Sequence, residues 1–359
     1  MITNKIKLRQ VCLTFIAFTL AIKIIILPSL TASFADQSLW ISAFINFSID
    51  GATLFFILKM TDKFKGLSFY QILRENVGET LTKIIMFLYC VYFILKAYVP
   101  IMEQKSFIEI SLYETTHVVF IFLPIFLIAC FFSYKGIKTV GRLADLSVWF
   151  TLFAVTVLIA LSSPIADFSN LLPLFKVPFS KVTAGSYNTQ LWYFDSTYML
   201  FFMGAFKEER LKKTKILLSY GAVAVITIIF FAVLYGEFGP LTPRQYFAPI
   251  KMGKYYLSLS NSGRIDYFAG FALAIVCVFA VTLPLVFATL CLSHTFNFKH
   301  KIIPCIIVNG FSAILFFFTQ DFFYETFKLV QKYALFFMLF VAYTLPLCML
   351  FFKKGRSKS

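Results

Sequence analysis

Charge is scarce in this sequence. Of its 359 residues only 14% are Asp, Glu, Lys or Arg, while 60% are hydrophobic. A soluble domain of this length needs far more charged surface, so the chain reads as a polytopic membrane protein. Acidic residues are scarcer still, 17 against 33 Lys and Arg, a formal balance of +16. Such a balance suits nucleic acid, but the basic residues fall in short clusters between apolar segments. That is the positive-inside pattern of a membrane protein, and nucleic acid is excluded as a partner. Histidine is limited to His117 and, far from it, His294 and His300, all at the edges of apolar stretches. There is no nucleophile–base motif, phosphate-binding glycine loop or metal-ligand spacing, so neither an enzyme nor a bound cofactor is expected. The seven cysteines (Cys12, Cys90, Cys130, Cys277, Cys291, Cys305, Cys348) form no CxxC pair. They read as small buried hydrophobes.

What is present is organised around the first apolar segment, 11–34. It is long enough to cross a bilayer, for which about 20 apolar residues suffice. Yet it holds Lys23 near its middle and Pro28 five residues later. Proline lacks an N–H and crowds the preceding turn, so the helix should kink or open there. Freed backbone groups and a buried charge are tolerated at membrane depth only where protein or a water-filled cavity surrounds them. Snorkelling is the plainer reading, but Lys23 lies about 18 Å of helix from either end. The segment is therefore expected to line a site. Lys5, Lys7 and Arg9 before it, and Ser33-Phe34-Ala35 near its end, imitate a signal peptide. The apolar stretch is too long for that and is interrupted by Lys23, so a retained first span is expected.

Ten spans are expected in one transmembrane domain, 1–359: about 11–34, 38–58, 80–102, 117–134, 143–163, 187–206, 216–236, 265–292, 302–319 and 331–352. Trp40 suits an interfacial aromatic at the start of span 2, and Asp50 places a second charge near that span's middle. Tyr89, Tyr92 and Lys96 share a face of span 3, where Lys96 is open to a functional or a snorkelling role. Glu103, Glu109 and Glu114 are read as a polar loop, 164–186 as too polar to cross, and span 6 as short, with Asp195 inside it. The longest loop, 237–264, reads as a structured extracellular flap. With Lys83 and Lys332 at span ends counted in their adjoining segments, alternate segments from the N-terminus carry 22 Lys and Arg and the opposite ones 9; Lys23 and Lys96, deeper inside spans, complete the 33. That bias places both termini in the cytoplasm. Ten spans divide as five plus five, the geometry of a LeuT-like inverted repeat with discontinuous helices 1 and 6 and a site at the midplane. Lys23 and Asp195 mark the two interrupted helices. A plain ten-helix bundle is the alternative.

Short motifs add a resemblance over most of the chain. They are Leu27-Pro28-Ser29, Trp40-Ile41-Ser42, Gly66-Leu67-Ser68-Phe69, Lys135-Gly136 with Gly141-Arg142-Leu143-Ala144-Asp145, and Asp167-Phe168-Ser169-Asn170-Leu171-Leu172-Pro173-Leu174. In order and spacing they resemble the spore germination permeases, the B subunits of endospore germinant receptors. These belong to the amino acid–polyamine–organocation (APC) transporter superfamily. An acidic residue in span 6 is usual in that family, and Asp195 takes that place.

The resemblance implies a nutrient-sensing subunit in the spore inner membrane, acting with A-type and C-type germinant receptor subunits on a small nutrient such as an amino acid. A pocket between spans 1, 3, 6 and 8 is expected to involve Ala21, Ile22, Lys23, Tyr92, Phe194 and Asp195, with Asp50 as a second candidate partner for Lys23. The rival reading is an active secondary transporter of amino acids or cations. One departure bears on the ligand. Family members commonly have glycines where span 1 unwinds, and this chain has none before Gly51; Ala21 and Lys23 stand there. Either Lys23 replaces backbone amides as the partner of an anion, or it fills the site by pairing with Asp195 or Asp50.

Overall fold

The computed structural model describes residues 6–64, 66–111, 117–173, 176–206, 213–252, 266–322, 325 and 328–352. Glu114, the basic residues Lys207, Arg210 and Lys212, the distal part of the 237–264 loop and the tail 353–359 lie outside the described residues. Among those described the architecture is helical throughout, with a single isolated bridge between Ile6 and Phe206 in place of any sheet. The helices are α1 (Leu8–Lys23), α2 (Leu27–Ala35), α3 (Leu39–Lys63), α4 (Phe69–Val77), α5 (Glu79–Ser111), α6 (Val118–Lys135), α7 (Ile137–Ser162), α8 (Phe179–Thr189), α9 (Tyr198–Phe202), α10 (Lys213–Phe238), α11 (Asp266–Phe296) and α12 (Ile302–Thr319). A last helical segment, α13 (Val330–Phe351), alternates between α and π turns.

Eight described helices are long and apolar enough to cross a membrane: Leu27–Lys63, Glu79–Glu109, Val118–Lys135, Ile137–Ser162, Lys213–Arg244, Val278–Phe296, Ile302–Phe322 and Val330–Phe351. The two expected spans that do not form such a helix are those carrying Lys23 and Asp195, and both are broken. α1 stops at Lys23, three residues leave the helix, and α2 resumes with Pro28 in its first turn. The opening therefore lies just before the proline, which occupies a position where a missing N–H costs nothing. The second broken segment starts earlier than span 6 was read: α8 already begins at Phe179 and ends at Thr189. One 3₁₀ turn (Gln190–Trp192), two non-helical residues and a second 3₁₀ turn (Asp195–Thr197) then lead into α9. The Ile6 N–H meets the Ala205 carbonyl at 2.7 Å, so the start of the first broken segment lies beside the end of the second.

The polar loop expected after span 3 is also corrected. α5 runs through Pro100 to Ser111, with Glu103 buried inside it. A helix tolerates these residues because they find partners: Glu103 takes the Trp192 indole N–H, and Lys105 lies 3.4 Å from Glu109 and 3.9 Å from Asp321.

The motifs that carry the resemblance prove to be joints. Gly66 turns at φ 81°, and Ser68 and Gln71 form a capping box that starts α4. Gly136, at φ 82°, ends α6 and begins α7. Asp145 on α7 accepts from Arg9 at 3.0 Å and Gln10 at 2.9 Å, pinning the start of α1. Asp167 caps a short turn through the Ser169 N–H, and hydrogen bonding from the Ser169 hydroxyl and then its N–H holds the carboxyl below the usual range, while Asn170 donates to the Gly236 carbonyl at 3.2 Å.

α8 packs on α2 and α3 through small and polar side chains, as membrane helices do. Ser42 donates to the Val182 carbonyl at 2.8 Å, Asn46 donates to the Ser186 carbonyl at 3.0 Å, and the Ser186 hydroxyl donates to Asn46 Oδ1. A methyl on Gly185 would lie 2.8 Å from Ser42 Oγ and 3.1 Å from the Ala35 Cβ. We therefore expect Gly185→Ala to cost about 1–3 kcal/mol, the usual cost of overpacking. Unfolding in detergent checks this, and an unshifted transition would mean that the helices have room to part.

Candidate functional site

The second break is satisfied from both sides. Its freed carbonyls belong to Trp192, Tyr193 and Phe194. The Lys96 ammonium donates to Tyr193 and, at 3.4 Å, to Trp192, while the Tyr92 hydroxyl donates to Phe194 at 3.1 Å. Its freed N–H groups belong to Asp195 and Ser196, and Asp50 accepts both, at 2.9 and 3.1 Å. Helix ends carry partial charge, negative at the C-terminus and positive at the N-terminus. A cation on the carbonyl end and a carboxylate on the amide end complement both. The chain also turns through Phe194 at φ 67°, ψ 24°, a left-handed conformation that a bulky residue adopts only when its surroundings enforce it.

Between the two ends sits the Asp195 side chain, fully buried. One carboxylate oxygen accepts from Lys23, the last residue of α1, and from the Thr19 hydroxyl at 3.1 Å. The other lies 3.3 Å from the Lys96 ammonium. Aromatic faces close over the cations: Lys23 lies 4.8 Å from the Tyr193 ring centre and 5.6 Å from that of Phe47, and Lys96 lies 5.8 Å from that of Phe194. Asp50 completes its shell with the hydroxyls of Ser196 and Tyr220, both at 2.6 Å. Two lysines and two aspartates thus balance in charge at the meeting point of both broken segments. A buried charge is tolerable on these terms.

Each expected site residue can now be placed. Lys23 and Asp195 meet, as read from their positions in the two interrupted spans. Asp50 makes no ion pair with Lys23 among the described residues; it holds the start of the second half of the broken segment. Tyr92 bonds the Phe194 carbonyl and, at 3.3 Å, the Thr197 hydroxyl. The Phe194 ring packs edge-on to Tyr343, 5.1 Å between centres. Ala21 and Ile22 are buried in the last turn of α1.

Lys96, for which the sequence allows a functional or a snorkelling role, is buried at the centre. The signal was its place on the Tyr89–Tyr92 face of one helix. Tyr193, Ser196, Tyr220 and Glu103 were missed, and nothing in their local sequence marks them. Glu103 keeps its second oxygen buried without a hydrogen-bond partner among the described residues.

The family model described as "Spore germination protein" matches residues 5–325. The chain belongs to the spore germination protein family. Among curated proteins it is similar to "Spore germination protein YndE" of Bacillus subtilis (strain 168), at 21% identity over 235 residues. That match covers 65% of this chain and 65% of the relative, just under two thirds of the relative's length. The family is one of permease-like membrane proteins and not of enzymes. Its model covers both broken segments, so the Lys23–Asp195 centre lies within the family's own region. With its apolar spans, this chain is a germination-related integral membrane protein.

Proposed function

We propose that this chain is the nutrient-sensing membrane subunit of an endospore germinant receptor, acting with A-type and C-type subunits in the spore inner membrane. Its ligand is a small nutrient such as an amino acid, bound at the midplane beside Lys23, Tyr92, Phe194 and Asp195, with Ala21 and Ile22 at the margin. In this reading the two broken segments count as spans 1 and 6 of a ten-span, five-plus-five inverted repeat, and both termini are cytoplasmic. The observation that supports it most is the meeting of two interrupted, oppositely running segments on one buried ion pair. Discontinuous helices at a repeat interface are the usual place for a solute in such folds. A ligand carboxylate has a defined competitor here, since it must take Lys23 or Lys96 from Asp195. Binding then changes which segments are tied together, and differential affinity for the two arrangements is what a receptor requires.

The test is germination of spores carrying Phe194→Leu, Phe194→Ala or Tyr92→Phe, measured against a nutrient panel. We expect the half-maximal concentration for some nutrients to rise about tenfold, the effect of ~1.4 kcal/mol in differential binding. Variants that accumulate normally yet keep the parental dose–response for every nutrient would sink the pocket assignment. The buried set of titratable groups also suits a second reading, an active secondary transporter of amino acids or cations. Solute uptake by this chain alone would favour that reading, whereas dependence on co-expressed A-type and C-type subunits favours the receptor.

A further inference from the structure

A second polar recess lies away from the Lys23–Asp195 centre, where α6 turns into α7 and α11 leads into α12. It is a cavity of about 190 Å³ lined by Ser133 and Gly136 at the first junction, by Thr289, Ser293 and His294 of α11, and by Lys301 before α12. Among the described residues no acidic side chain lines it. The start of one long helix opens on it: Gly136 and Ile137 line the recess, and the 26-residue α7 that begins there has no side-chain cap. Its partial positive charge adds to that of Lys301, whereas the first turn of α12 offers little, since Pro304 has no N–H and the Ile303 N–H is taken by the His300 carbonyl at 3.3 Å. The recess is also built to donate. The Ser133 hydroxyl, largely buried, already accepts from Asn309 at 3.4 Å, which leaves its own O–H to give. His294 is held in place by stacking on Tyr70 of α4, 4.5 Å between ring centres and 16° from parallel. The elements that form the recess also carry exposed apolar side chains, Phe131 on α6 and Ile302 and Ile306 on α12, and Lys138 and Lys299 add positive charge at the same two junctions.

We propose that this recess binds the phosphate group of an anionic phospholipid. Sign of charge, the donors and the uncapped start of α7 suit phosphate, and the apolar flanks suit acyl chains. Basic pockets between membrane helices take lipid headgroups on these terms. Free inorganic phosphate shares the headgroup's chemistry but makes no use of the apolar flanks.

The experiment uses the full chain in nanodiscs of phosphatidylcholine mixed with phosphatidylglycerol, with retained lipid counted by native mass spectrometry. We expect phosphatidylglycerol to be retained over phosphatidylcholine. Lys301→Gln should cut its retention about fivefold, the effect of one basic residue at the headgroup, while Lys299→Gln changes it less than twofold. Lys301 is exposed, so its loss leaves the fold in place; unfolding in detergent verifies that. Equal loss in both variants, or no preference between the two lipids, overturns the site. Release of the lipid by added inorganic phosphate assigns the recess to the free ion and overturns the lipid.

Discussion

Lys23→Ala destabilises the protein by about 3–5 kcal/mol, the usual cost of removing one partner of a buried ion pair, and adding Asp195→Asn returns part of that loss. The asymmetry between the single variants is informative. After Lys23→Ala, Asp195 still faces Lys96 at 3.3 Å, so its charge remains compensated and the loss falls toward the lower bound. After Asp195→Asn, two buried ammonium groups lose their shared carboxylate, and the only other acid of the cluster, Asp50, is already engaged by four donors. Asp195→Asn should therefore be the more damaging of the two. The double variant leaves Lys96 and Asp50, one charge of each sign, and should be more stable than the summed losses by about 0.5–3 kcal/mol. Unfolding transitions in detergent, for variants normalised to membrane accumulation, give all three values. Losses that add within about 0.5 kcal/mol remove the pairing as an energetic unit.

How much of this was legible in the residues depends on whether the signal was local. The long apolar runs coincide with helices, as 302–319 does with α12, whereas α4, most of α8 and the end of α5 lie in stretches too polar to be read as spans. The first break was legible because a lysine and a proline share one apolar run. Its position was displaced by three residues because Pro28 begins the second helix instead of ending the first. The second break had no comparable mark. Asp195 signalled a special place, but nothing in Trp192-Tyr193-Phe194 announces a left-handed phenylalanine. That conformation is imposed by Asp50, Tyr92 and Lys96, which reach it from other helices. Glu103 was misread for a related reason: a carboxylate near the end of a run reads as loop until its indole partner on a distant segment is known. Lys23 stands in a first segment without glycine, and it is engaged by Asp195 within the chain itself.

Asp50 carries the other large effect. It accepts two backbone N–H groups, one serine hydroxyl and one tyrosine hydroxyl, all buried. Removing the acceptor strands each donor, at about 1–3 kcal/mol apiece for those that find no substitute. It also removes the anion from the start of a half-helix, where it opposes the local dipole. Asp50→Ala should accordingly be among the most damaging single changes in the chain. Asp50→Asn should fall below it, because the amide keeps one acceptor oxygen but turns donors toward donors. Tyr220→Phe removes only one bond to the carboxylate and should cost about 1.5–3 kcal/mol. A stability ranking alone does not distinguish a held break from a generally damaged core. Backbone hydrogen exchange does: with Asp50 intact the Asp195 and Ser196 amides are protected, and in Tyr220→Phe they remain so. In Asp50→Asn their exchange should accelerate while amides inside α12 keep theirs. Unchanged protection at those two positions would mean that the second half of the broken segment starts where it does without Asp50, and that the carboxylate is there for another purpose.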